Sequence, residues 1–119
     1  MMREMMRAKL IPALLLVSVC LLLVACEETT IGKINEDPGR YANKEVSLRG
    51  TVTNSFGLLG QGAYELDDGT GKMWVLVEKG GVPSKGARVR TVGRVVGSAT
   101  FAGRNFGTAL REKKHRVDR

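Results

Sequence analysis

Cysteine, histidine and aromatic residues are all scarce in this 119-residue chain, and each shortage removes a class of chemistry. Both cysteines, Cys20 and Cys26, fall within the first 26 residues, and none follows. A domain built from the rest therefore has no disulfide, no cysteine-ligated metal and no thiol nucleophile. Small exported domains often rely on disulfides, so this one must hold itself together by packing alone. The single histidine, His115, sits in a charged tail and is expected to be exposed there. Ser47, Ser55, Ser84 and Ser98 have no base near them in the sequence. Nucleophilic catalysis needs a nucleophile, a base and an orienting partner, so the expectation is that the protein is not an enzyme. Aromatic residues make up only 5% of the chain, with one Trp, two Tyr and three Phe to serve both core and surface.

Charge is missing altogether from residues 10–25, a run dominated by Leu and Val behind Arg3, Arg7 and Lys9. Sixteen residues of helix rise only about 24 Å, short of a hydrocarbon core of roughly 30 Å. A basic start, a short apolar run and small residues before a cut read as a secretory signal better than as a membrane-spanning helix. The stretch Leu23-Val24-Ala25-Cys26 closes this run and resembles the lipobox of bacterial lipoprotein precursors. That resemblance implies a diacylglyceryl group on the Cys26 thiol, cleavage after Ala25 and a membrane anchor at the new N-terminus, commonly acylated further by a chain such as palmitate. Two or more acyl chains hold stably, because each buried methylene contributes about 0.8 kcal/mol. The implied location is the cell envelope outside the cytoplasm. Glu27 in place of Asp after the cysteine resembles the type sorted to the periplasmic face of an outer membrane, where the cell has two.

On this reading residues 1–25 are the signal, 26–30 the lipidated cysteine and a short tether, 31–113 a barrel domain and 114–119 a charged tail. Ninety-four residues follow Ala25, enough for one small domain. They carry sixteen Lys and Arg against eleven Asp and Glu, a formal charge of +5. A basic domain attracts anionic polymers or lipid, but moderate charge also serves solubility. Four tether residues reach at most about 14 Å, which holds the domain against the lipid surface.

Thr30 is placed to cap a short helical turn through Glu36, and Asp37-Pro38-Gly39 ends it. Val46, Leu48, Gly50 and Val52 alternate with polar residues, as do Val89, Thr91, Gly93 and Val95. Both are period-two strands, with Val46, Leu48, Val52, Val89 and Val95 expected to face inward. A glycine inside each permits the sharp coiling that a small barrel needs. Residues 63–66 and 72–77 flank Asp67-Asp68-Gly69-Thr70-Gly71, a hairpin signal. A last run, 108–113, closes the sheet, and beyond about Lys114 the tail is expected to fray.

Five strands, an early mid-strand glycine and the Asp-Gly-Thr-Gly hairpin resemble the OB-fold family, over residues 46–112. The likeness is to small bacterial envelope proteins carrying an OB domain. It implies an all-β, five-stranded barrel in which the first strand pairs with both the second and the fourth. Where that family has a helix between strands three and four, residues 78–86 are a Gly/Pro-rich loop, so 31–41 is expected to cap the barrel bottom instead.

Asp67 and Asp68 read as turn chemistry rather than a Ca²⁺ site, which needs six to eight oxygens. An envelope OB protein that carries haem needs a histidine held near the barrel end, and His115 lacks the aromatic companion for that role. No cofactor and no metal are expected. Nucleic acid is the partner the OB resemblance brings, with Tyr64 and Trp74 as stacking residues and Arg88, Arg90 and Arg94 as an outward cationic row. An exported lipoprotein meets little of it, and fold does not set function. A binding role toward an envelope protein or anionic polymer leads; a structural or assembly role against anionic lipid is a further alternative. The expected site is the pair of loops that flank the OB ligand face. Leu58 and Leu59 lie in the apolar connection 56–62, and Phe101 and Arg104 in the connection 97–107. Together they would form an exposed lip beside Trp74, with Arg88, Arg90 and Arg94 along the neighbouring surface. Phe56 and Phe106 are the residues best placed to plug the barrel end.

Overall fold

A computed structural model describes residues 26–118 of the chain. The signal segment read above, 1–25, lies outside them. In chain order the elements are β1 (Glu27–Glu28), α1 (Ile31–Glu36), α2 (Pro38–Tyr41), β2 (Glu45–Leu58), β3 (Gln61–Asp67), β4 (Lys72–Val77), β5 (Arg88–Phe101) and β6 (Arg104–Asp118). β2 pairs antiparallel with β3, β3 with β4, and β5 with β6. A parallel pairing of β4 with β6 and an antiparallel pairing of β2 with β5 close the ring. Five strands in the order β2-β3-β4-β6-β5 thus return to β2, which leaves no free edge among them.

The alternation predicts the interior correctly: Val46, Leu48, Val52, Val89 and Val95 are at most 1% exposed. Gly50 and Gly93 lie where a neighbouring strand crosses closely. A Cβ on Gly50 would stand 2.5 Å from the Asp67 carbonyl oxygen, and one on Gly93 would overlap that of Arg111. The two short helices cover the barrel bottom, with Ile31, Ile34 and Tyr41 buried in the same core. Each is capped as its sequence dictates. Thr30 Oγ1 accepts from Lys33 N at 3.3 Å, and Asp37 Oδ1 accepts from Arg40 N at 3.4 Å with Pro38 opening α2.

Asp67 and Asp68 are occupied by the hairpin they sit in. Asp67 Oδ1 accepts from Gly69 N at 2.9 Å, and Asp68 Oδ1 accepts from Thr70 N at 2.9 Å. Asp68 Oδ2 reaches further and accepts from Ile31 N at 2.8 Å, while Thr70 Oγ1 accepts from Gly32 N at 2.8 Å. The turn therefore holds the first two N–H groups of α1. Partial burial pushes the Asp68 carboxyl up, but hydrogen bonds from the Thr70 hydroxyl and from the Ile31, Thr70 and Gly71 backbone outweigh it, and the net shift is downward. A carboxyl lowered in the folded state stabilises above its unfolded pKa and loses that stabilisation as pH falls through the folded one. Asp68→Ala should therefore lose about 1 kcal/mol at neutral pH. In urea titrations the gap to wild type should narrow as pH drops below about 4.

Three stretches differ from expectation. Residues 26–30 are no free tether, because Glu27 and Glu28 pair in parallel with Val46 and Ser47. Residues 56–62 and 97–107 are not loops but the ends of two long hairpins, turning only at Leu59-Gly60 and Ala102-Gly103, all four at positive φ. Such pairs suit the twist of antiparallel strands. The charged tail does not fray: β6 pairs with β5 as far as Asp118 opposite Arg88.

Candidate functional site

The outer face of the barrel carries a second apolar cluster, separate from the core. Ala63, Leu76, Ala99 and Ala109 form its base, with Trp74, Val96, Phe101 and Phe106 packed on it. Strict alternation would send several of these side chains inward, and β-bulges redirect them. On β2 the register with β3 shifts between Val52 and Asn54, after which Phe56 stands opposite outward-facing Ala63. On β5 one extra residue between Val96 and Ala99 moves Ala99 and Phe101 to the outside. Phe106 is itself the extra residue on β6, where Thr100 pairs with Asn105 and Ala99 with Gly107. A bulge re-aims a side chain by changing the residue count against the partner strand.

The result is an aromatic patch. Phe56 lies 6.0 Å from Trp74, 6.3 Å from Phe101 and 6.3 Å from Phe106, and Trp74 lies 5.2 Å from Phe106, centroid to centroid. The Arg104 guanidinium rests over both Trp74, at 5.7 Å, and Phe106, at 5.2 Å. Phe56 is 39% exposed and Leu59, at the adjoining turn, 94%.

Trp74, Phe101 and Arg104 thus lie in one patch, and Leu59 stands at the adjoining turn. Leu58 ends β2 beside them, opposite Gln61; its side chain lies outside what the structure describes. Phe56 and Phe106 belong to the patch and do not plug the barrel. The arginine row does not adjoin it. Trp74 is level with Ala109 and, across β6, with Val96. Arg90 is six residues back along β5 and Arg88 eight, roughly 20 and 26 Å in extended chain. Arg94 is nearer, but its guanidinium donates to the Asn43 carbonyl at 3.2 Å. Tyr64 is fully buried in the core and offers no stacking face.

His115 is the other correction. It is not a free tail residue: its side chain is only 18% exposed, and Nδ1 lies 2.8 Å from Glu112 Oε2. The other carboxylate oxygen of Glu112, itself 3% exposed, accepts from Tyr64 Oη at 2.6 Å and Thr91 Oγ1 at 2.9 Å. Both residues face inward because Lys113 is an extra residue between them, Gly93 pairing with Glu112 and Val92 with Lys114. Burial first, and the bond to Glu112 second, push the Tyr64 hydroxyl well above its ordinary pKa. Among the described residues no hydroxyl or thiol is hydrogen-bonded to His115 itself; the two hydroxyls of the network donate to Glu112.

No protein-family model matches the sequence, and a comparison with curated proteins finds no match. Solved structures do match. A protein assigned as an aspartyl-tRNA synthetase of Leishmania major Friedlin superposes with TM-score 0.59 at 14% identity, over 76% of this chain and 20% of that one. The asparaginyl-tRNA synthetase of Pyrococcus horikoshii gives 0.56 at 17%, over 76% and 23%. OBody AM3L09, solved bound to hen egg-white lysozyme, gives 0.50 at 16%, over 66% and 84%. With the ring order above, these likenesses decide the architecture. The domain has the OB fold. This OB barrel spans only about a fifth of the length of either synthetase, and at such identities the likeness is one of fold alone. Within the fold, Ala63, Leu76 and Trp74 put the base of the patch on the second and third ring strands, and Phe56, Phe101 and Phe106 reach it from the ends of the two long hairpins.

Proposed function

We propose that the protein is a lipid-anchored envelope protein whose OB barrel is a non-catalytic binding module, taking a protein partner on the aromatic patch. One observation carries this: three bulges bring Phe56, Phe101 and Phe106 onto the outer face that Trp74 already occupies, under Arg104. Trp, Arg and Phe around an apolar base are the composition of an interface hot spot. The rings pack on one another, and Arg104 covers Trp74, which favours a contiguous contact surface over separate slots for bases. A chain of this fold bound to hen egg-white lysozyme supports a protein ligand. An anionic envelope polymer could meet the same face through Arg104, and single-stranded nucleic acid is the alternative that stacking aromatics bring.

Orientation follows from β2. Cys26 precedes the pairing of Glu27 with Val46, whereas Phe56 lies eleven residues beyond Glu45, at most about 36 Å along the strand. With the tether built into the sheet, a lipid at Cys26 holds the barrel by one end and leaves the patch at the other. The patch then faces away from the anchoring bilayer, not into it.

The test has two parts. Cys26→Ala should abolish lipid labelling and leave an unprocessed precursor; a variant still cut and labelled would overturn the anchor. Site-specific cross-linking from Leu59 should then yield a discrete protein adduct that weakens about 30-fold in Trp74→Ala, the loss expected of a hot-spot residue. Tight, steeply salt-dependent oligonucleotide binding instead would transfer the patch to the nucleic-acid reading.

A further inference from the structure

The wall of the barrel formed by β2, β5 and β6 carries an arrangement that sheets ordinarily avoid. Arg49 on β2 is directly opposite Arg90 on β5, and Arg90 is directly opposite Arg116 on β6. Three arginines therefore occupy one cross-strand row, their backbones about 5 Å apart, and like charges placed directly opposite one another are destabilising. The outer two have only long, solvent-exposed carboxylate partners, Glu28 at 3.8 Å from Arg49 and Asp118 at 3.9 Å from Arg116. Arg90, in the middle, has no ion pair among the described residues. Its Nε is buried without a hydrogen-bond partner, a rare condition for a donor that is always charged. The next row adds Lys114 opposite Val92, and Val92 opposite Ser47. Ser47, Arg90, Lys114, His115 and Arg116 line a single surface cavity of about 360 Å³.

We infer that this cavity is a phosphate-binding site, with the Arg90 guanidinium at its centre and Arg116, Lys114 and the Ser47 hydroxyl around it. The chemistry selects the anion. Guanidinium groups match a tetrahedral oxyanion bidentately, and a doubly charged phosphate offsets the repulsion within the row where a single carboxylate would not. The site is independent of the aromatic patch and of acylation. Its position adds a second source of the same chemistry, and this clause alone rests on the proposed anchor: Ser47 pairs with Glu28, two residues from Cys26. Phosphate reaches the site either as a free phosphate compound or as a phospholipid headgroup.

The experiment uses the full chain in neutral detergent micelles at fixed ionic strength. One arm adds inorganic pyrophosphate; the other dopes the micelles with phosphatidylglycerol, against phosphatidylcholine as control. The readouts are the thermal midpoint and the NMR signal of Arg90 Nε–H. At least one phosphate source should raise the midpoint and shift that signal, and Arg90→Gln should weaken the midpoint response about tenfold or more. Arg116→Gln, at a side chain 71% exposed, should weaken both readouts and keeps the test open if Arg90→Gln does not fold. Lys79→Gln, in the exposed loop, should change nothing. Response to pyrophosphate alone assigns free phosphate compounds, and response to phosphatidylglycerol assigns headgroups. No response to either source, or equal responses in wild type and both arginine variants, would overturn the site. The outcome does not depend on whether Cys26 is acylated.

Discussion

Replacing Glu112 by alanine is expected to destabilise the barrel by about 3–5 kcal/mol, the effect of breaking a buried charged network by removing one partner. The carboxylate is 3% exposed and serves three side chains from three strands: Tyr64 on β3, Thr91 on β5 and His115 on β6. Tyr64 and Thr91 are themselves fully buried; without the carboxylate Thr91 keeps only the Lys114 carbonyl at 3.4 Å, and the Tyr64 hydroxyl loses the acceptor it holds at 2.6 Å. An orphaned buried hydroxyl of this kind adds about 1–3 kcal/mol. Glu112→Gln keeps an acceptor for both hydroxyls and should lose distinctly less. The comparison is made by urea unfolding, where a lower midpoint at unchanged slope reports stability itself. An alanine variant as stable as wild type would mean that the network is incidental. The same network sets behaviour in base. A hydroxyl whose pKa is raised by folding contributes stability below its unfolded pKa and loses it as pH rises, so Tyr64 should steepen unfolding above about pH 10.

Gly93→Val is the second large effect, expected to lose about 3 kcal/mol or more. A Cβ at this position would overlap the Arg111 carbonyl and come within 2.9 Å of the Glu112 Cα. Both are backbone atoms of β6, and moving them disturbs the pairing of Arg94 with Arg111 and Val95 with Leu110 that closes the ring. Flexible side chains can give way to a new methyl group; a paired strand gives way only by unpairing. Gly97→Ala is the control. Nothing lies within 4 Å of a Cβ built there, so its effect should stay within about 0.5 kcal/mol. Because Gly93 faces Glu112 across the strands, Gly93→Val and Glu112→Gln should combine non-additively. Simple additivity in a double-mutant cycle would show that the glycine acts on backbone spacing alone.

Much of the barrel was legible because its signals are local. Val46, Leu48, Val52, Val89 and Val95 face inward as their alternation says, since side-chain direction in a strand repeats every two residues. Thr30 caps the helix that follows it, and Asp67 to Gly71 turns a hairpin, each through contacts within a few residues; Asp37-Pro38-Gly39, read as a plain turn, instead opens a second short helix. The aromatic patch was half legible. Trp74, Phe101 and Arg104 could be assembled from the expected connectivity. Phe56 and Phe106 could not be placed, because the residue parity that decides their face is broken by bulges.

The sequence by itself determined the interior faces of the strands and the turn chemistry, and the uncharged run 10–25 with Leu23-Val24-Ala25-Cys26 is what the proposed anchor rests on. Each rests on periodicity or on neighbours a few positions apart. The tertiary structure alone decided the rest. A bulge is one residue more than the partner strand supplies, so it exists only in the pairing and leaves no mark on either strand read singly. Bulges of this kind turned Phe56 and Phe101 outward and brought Glu112 and His115 inward together. Pairing with β5 made the charged tail a strand, and it set Arg49, Arg90 and Arg116, far apart in the chain, in one row.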